Sequence, residues 1–143
     1  MRKNKLYQGK NFSVSRYNLQ VQGKKIKQEI IEQKNAAAIL ALENEQVILV
    51  KQFRYPLGYI LEIPAGTVQN RETTKQCAVR ELEEETGYKA KNVKHLMKMY
   101  PTLGYNLQFI DCFVSTDIKN TGKLKLGDEE FLTVTKIDRK SVV

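Results

Sequence analysis

Glu81, Glu84 and Glu85 fall at i, i+3 and i+4 of one stretch. If that stretch is helical, their carboxylates share a face. Each like-charge pair then costs about 0.2–0.5 kcal/mol on an open helix, and more where water is partly excluded. Arg80, one turn before Glu84, can hold it by a charge-assisted bond. One guanidinium does not neutralise three or four carboxylates. Clustered oxygen donors without Cys or His suit Mg²⁺ or Mn²⁺ rather than zinc. Such ions neutralise phosphate oxygens, polarise phosphorus and lower the pKa of a bound water. Phosphoryl chemistry leaves the protein little covalent work, so positioning and electrostatics dominate. The substrate that fits is a pyrophosphate attacked by water. The competing reading is a solvated acidic helix face, which a Leu-Glu-Glu-Glu run taken alone usually is.

The elements around these residues narrow the choice. Pro64-Ala65-Gly66 predicts a tight turn, and Glu72 or Thr73 offers a helix start. From there to Thr86 neither Pro nor Gly intervenes, and Gly87 stands where a helix end wants a left-handed residue. Ala78, Val79 and Leu82 form the face to be buried. The full spacing is Gly66, five residues, Glu72, seven residues, then Arg80-Glu81-Leu82-x-Glu84-Glu85-x-Gly87. This resembles the Nudix box of the Nudix hydrolase family at every fixed position. The final position, aliphatic in the family, is Tyr88.

The resemblance implies an α+β fold, an α/β/α sandwich with a mixed sheet between helices and the box as a loop-helix-loop along one side. It implies hydrolysis of a nucleoside diphosphate linked to another group, with Mg²⁺ (or Mn²⁺) as cofactor. Glu81 and Glu85 would be metal ligands, helped by Glu84 and the Ala65 carbonyl. Arg80 and Glu72 would orient them, and Gly66 and Gly87 would serve turn geometry. Gln52-Phe53-Arg54-Tyr55-Pro56, the run 61–66 (LEIPAG) and an EIIE segment at 29–32 are similar to the ADP-ribose pyrophosphatase branch. By that likeness Arg54 contacts substrate phosphate, and Glu62 sits near the metals as ligand or hydrogen-bond acceptor. A strand-end cation and an edge carboxylate are the plain alternatives.

Three departures stand beside the likeness. The branch carries Ser-Pro-Gly in the loop 101–106, where this chain has Leu103 before Gly104. Tyr105 points instead to dinucleoside polyphosphate hydrolases, or is a loop aromatic. Gln28 stands where the branch often has Arg. Glu129 and Glu130, before an expected strand, are alternative choices for a general base or further metal ligand, against a solvated turn. The expected reaction is ADP-ribose to AMP and ribose 5-phosphate. Dinucleoside polyphosphates and nucleotide sugars are alternatives, as is a non-hydrolysing sensor on the same fold. The likeness also implies a homodimer exchanging N-terminal strands, an aromatic (Phe12 or Tyr17) stacking on the partner's adenine.

A chain of 143 residues with 41% hydrophobic composition suits one domain over 1–143, with N-terminal strands in 1–34 and the Nudix core in 35–143. No apolar run approaches the ~20 residues of a membrane span, and the start lacks a signal-peptide core. Cys77 and Cys112 read as small buried hydrophobes in a reducing cytoplasm, a disulfide being the alternative. His95 stands alone, which disfavours a His-based metal site or triad. The net charge of +8 is spread over scattered Lys without an aromatic platform, so nucleic acid is not the expected partner. A positive field would still steer an anionic nucleotide. Strands are expected at 12–22, 25–33, 35–42, 46–53, 93–100, 107–115 and 131–137. Family members continue past this last strand with another helix. Its expected absence would leave apolar sheet surface for a dimer to cover.

Overall fold

The computed structural model describes residues 2–127 and 131–141. The chain forms two compact units, residues 1–35 with 99–110, and 36–98 with 111–143.

In the first unit, β1 (Arg2–Gln8), β2 (Phe12–Val21) and β3 (Lys24–Gln33) form an antiparallel sheet in that order. The β2–β3 hairpin closes through Gln22 and Gly23, both at positive φ (49° and 77°), as a two-residue hairpin requires. β1 was not expected. Every residue of RKNKLYQ is exposed, so no apolar periodicity marks it. It is held by its pairing with β2 and by Glu32, which accepts from Lys3 Nζ (2.7 Å), Ser15 Oγ (2.6 Å) and the Tyr17 hydroxyl. These bonds, Lys3's first, hold the Glu32 carboxyl down to about 2. A depressed carboxylate pKa stabilises the fold above the ordinary value of 4.5 and loses that contribution as pH falls toward 2. Glu32→Gln is therefore expected to lower the denaturation midpoint at pH 7 and to narrow the gap between variant and wild type below pH 3, as urea titrations at several pH values would show.

The segment 99–110 adds to this unit. Its Tyr105 carbonyl accepts from Ile31 N–H (2.7 Å), and Leu107 N–H donates to the Ile31 carbonyl (3.1 Å). The strand expected from 107 begins only at Ile110. Gln108 N–H and Phe109 N–H are instead taken by Asn106 Oδ1 and Asn35 Oδ1.

The second unit contains β4 (Ala36–Glu43), β5 (Gln46–Arg54), β6 (Gly58–Glu62), β7 (Ala65–Thr67), α1 (Thr74–Thr86), β8 (Tyr88–Lys91), β9 (Lys94–Met99), β10 (Ile110–Ser115), β11 (Asp117–Asn120) and β12 (Leu132–Asp138). The main sheet runs β12-β5-β4-β10-β9, with β6 on β5 and β7 on β4, while β8 and β11 pair separately. The Ala-rich run resolves as a strand because its alternate residues Ala37, Ile39 and Ala41 are wholly buried. They pack with Cys77, Ala78 and Leu82 of α1, and with Ile48, Tyr88 and Phe113. Small side chains on both elements let the helix lie close to the sheet.

The helix limits follow from its caps. Thr73 Oγ1 accepts from Gln76 N–H (3.2 Å) and Gln76 Oε1 from Thr73 N–H (2.9 Å), a reciprocal capping box. Gly87 closes it at φ 73°. Thr73→Ala should cost about 1 kcal/mol, read from the urea midpoint. Tyr88 departs from an aliphatic residue yet is 1% exposed, because its hydroxyl donates to Glu43 Oε2 (3.1 Å) at the core's edge. Lys136 holds the same carboxylate at 2.7 Å.

The α+β class is met with a single α-helix among the described residues, followed after β12 by a 3₁₀ turn, Arg139–Ser141. Cys77 and Cys112 are buried free thiols. Among the described residues no helix is long and apolar enough to cross a membrane.

Candidate active site

The β7 turn and the outer face of α1 place Arg80 at the centre of an acidic constellation. Its Nε and Nη2 grip both oxygens of Glu72 at 2.8 and 3.1 Å. Nη1 reaches Glu81 at 2.6 Å and Glu84 at 2.9 Å, and Nη2 also donates to the Thr67 carbonyl at 3.3 Å. The forked guanidinium makes this sharing possible, since five donors leave it in fixed directions. The carboxylates raise the guanidinium's pKa, Glu72 most strongly, and Arg80 holds the Glu72 carboxyl below its ordinary range. Glu72 is further held by Gln69 N–H (2.9 Å). Replacing Arg80 by Lys would give up the two-point grip on Glu72, a carboxylate with only 13% side-chain exposure. Arg80→Lys is expected to cost about 2 kcal/mol in urea denaturation, the price of under-satisfied buried charge.

Glu81 lies directly over Gly66. A methyl group at Gly66 would stand 2.0 Å from the Glu81 Cδ and Oε1 atoms. Gly66 is not at positive φ, so its requirement is space, whereas Gly87 is needed for its left-handed backbone. This corrects the expectation that both serve turn geometry. Ala65, paired with Ala38 of β4, donates its N–H to Glu85 Oε2 (3.2 Å). The Cys77 thiol contacts the Gly66 carbonyl at 3.5 Å, and burial pushes its pKa up to about 12. It is therefore a neutral donor to the turn. No spacing signal pointed to that role.

Arg54 and Glu62 form a two-point ion pair across β5 and β6, at 3.0 and 2.8 Å. Glu62 is the main cause of the raised Arg54 pKa, and the field of Glu85 adds to it. Glu81, Glu84, Glu85, Arg80, Ala65, Arg54 and Glu62 thus all belong to the second unit. Gly104 and Tyr105 belong to the first. There Gly104 (φ 96°) offers its carbonyl to the Gln28 side-chain amide, and Tyr105 is 53% exposed. Gln28 therefore does a local structural job at the position where the resemblance implies an Arg. Phe12 packs with Tyr7, and the Tyr17 hydroxyl is bound to Glu32. Glu129 and Glu130 lie outside the described residues.

Residues 32–141 match the NUDIX domain model. The chain belongs to the Nudix family. It is 38% identical over 118 residues to the ADP-ribose pyrophosphatase of Bacillus subtilis, covering 80% of this chain and 64% of that protein. It is 33% identical over 118 residues to the methanol dehydrogenase activator of Bacillus methanolicus, with the same coverages of 80% and 64%. The chain thus spans a little under two thirds of these relatives. Its fold is similar to that of a crystal structure of an ADP compounds hydrolase, with TM-score 0.82 at 22% identity over 98% of this chain and 77% of the other.

Nudix hydrolases generally use divalent metal ions. The donor set of the Nudix box fits such an ion. Among the described residues no three acidic side chains converge as a preformed metal cage. Three of the box carboxylates converge on Arg80 instead. Three carboxylates thus share one guanidinium, Glu85 is held by the Ala65 N–H, and the excess negative charge is borne by hard oxygen donors.

Proposed function

We propose that this Nudix protein is a metal-dependent pyrophosphohydrolase acting on a nucleoside diphosphate linked to another group, with ADP-ribose, split to AMP and ribose 5-phosphate, as the leading substrate. The observation that carries the reading is the Arg80-centred cluster of Glu72, Glu81 and Glu84 beside Glu85. The 38% identity to a Bacillus subtilis ADP-ribose pyrophosphatase supports the substrate.

In this reading Glu81, Glu84, Glu85 and the Ala65 carbonyl hold Mg²⁺ or Mn²⁺. When bound, the ion supplies charge neutralisation at the diphosphate and a lowered pKa for water. Glu72 fixes Arg80, and Arg80 in turn sets the directions of Glu81 and Glu84. Arg54 binds phosphate through the donors that Glu62 leaves unused, so Glu62 acts by aiming the guanidinium. Gly104 and Tyr105 belong to the loop assigned to substrate choice, and Glu129 or Glu130 takes the proton from the attacking water. The working form is a cytoplasmic homodimer, which sedimentation would test.

A substrate panel of ADP-ribose, nucleotide sugars and dinucleoside polyphosphates, with Mg²⁺ or Mn²⁺ and products resolved, tests the proposal. AMP released from ADP-ribose supports it, and turnover of a different member redirects the substrate. The similarity to a methanol dehydrogenase activator favours one second reading, a regulator on this fold. Binding of ADP-ribose with no AMP release would select that reading.

A further inference from the structure

Of the net charge of +8, +7 belongs to the unit of residues 1–35 and 99–110, where nine Lys and Arg stand against Glu29 and Glu32. The other unit carries only +1. Along the sequence these cations look scattered, but the sheet collects them. Both carboxylates are already engaged, Glu29 with Arg16 and Glu32 with Lys3, each at 2.7 Å. The register sets Arg2 opposite Asn18, Asn18 opposite Lys27, and Gln20 opposite Lys25. Cross-strand partners share a face, and so do residues two apart on a strand. These five side chains, with three aliphatic ones, line an open groove of about 860 Å³ whose wall has no carboxylate. Farther along the same face stand Tyr7, opposite Val14, and Phe12. Their rings lie 5.8 Å apart and are 54% and 41% exposed.

We propose that this face binds single-stranded nucleic acid. Arg2, Lys25 and Lys27 would meet phosphates, Asn18 and Gln20 would meet base and sugar edges, and Tyr7 and Phe12 would offer stacking surface. From Phe12 to Gln20 the strand extends about 27 Å, room for several nucleotides. A lipid surface is the poorer match, because the carboxamides in the groove would have to shed water into it without partners. Arg2, Lys25 and Lys27 are not among the residues assigned to the hydrolytic reaction, and the proposal does not depend on which substrate that reaction takes.

The test is fluorescence anisotropy of the full chain with labelled oligouridylate and oligothymidylate, each of about 20 nucleotides, across a salt series starting near 50 mM. Micromolar binding is expected at low salt, weakening with a log–log slope near 2 for three contacted phosphates. The double variant Lys25→Glu/Lys27→Glu should bind at least about tenfold more weakly with a flatter slope, and hydrolyse nucleotides as the wild type does. Tyr7→Ala should lose about fivefold or more while keeping the slope, the signature of stacking. The proposal is overturned if neither oligonucleotide binds at low salt, or if the charge-reversed variant binds as tightly as wild type. It is equally overturned if phosphatidylserine vesicles bind where the oligonucleotides do not.

Discussion

Glu85→Gln is expected to lower kcat on the order of 10²–10³-fold while leaving the melting temperature within ~3 °C of wild type or above it. The two halves of this expectation have separate causes. Glu85 is buried and accepts a bond from Ala65 N–H at 3.2 Å. A glutamine keeps a carbonyl oxygen for that bond, so the turn before α1 stays anchored. The change also removes one member of a like-charge row, which relieves repulsion. What it removes is anionic charge on a hard oxygen donor, and the proposed reaction depends on that charge. Glu84→Gln should behave similarly, with a weaker bond to Arg80 in place of an ion pair at 2.9 Å. Steady-state kinetics with scanning calorimetry checks both. Wild-type turnover in the two variants would take these carboxylates out of the reaction altogether.

Gly66→Ala is expected to cut activity far more than it weakens the fold. The added Cβ would stand 2.0 Å from two atoms of the Glu81 carboxyl group. Retreat of the turn is hindered, because Gly66 sits in β7 opposite Ala37 of β4. The flexible end of Glu81 moves instead, leaving its 2.6 Å bond to Arg80. A stability loss of about 1–3 kcal/mol is expected from the crowding. Turnover should fall about 100-fold or more, since a displacement near 1 Å can cost that much. Gly87→Ala provides the contrast. There the cost is a left-handed residue at φ 73°, about 1–2 kcal/mol, with kcat near wild type. If Gly66→Ala keeps full turnover, the placement of Glu81 does not limit the reaction.

Much of this was readable in the chain, and the reasons differ by residue. The helix was legible because Thr73 and Gly87 bracket a run of good helix formers. The spacing of Glu81, Glu84 and Glu85 forced them together once that helix was granted. β1 was not legible, since an exposed edge strand needs only backbone partners and leaves no apolar rhythm. The short β7, β8 and β11 likewise exist through pairing with strands remote in sequence, which local propensity does not report. The reach of Arg80 to Glu72, eight residues away, depends on how the loop returns to the helix. The contact of Glu81 with Gly66 depends on the same return, and a sequence offers Gly only as a flexible residue. The clustering of positive charge was hidden for a related reason, because cross-strand register sets which Lys residues become neighbours.

The way one guanidinium ties together Glu72, Glu81, Glu84 and the Thr67 carbonyl limits how this stretch can drift. Removing the cation strands all of its acidic neighbours at once, and removing one neighbour frees the cation to reorient among the rest. Successive losses should therefore cost far less than their separate effects added together. A lineage abandoning the reaction would shed these positions as a block, and one keeping it could scarcely exchange them singly.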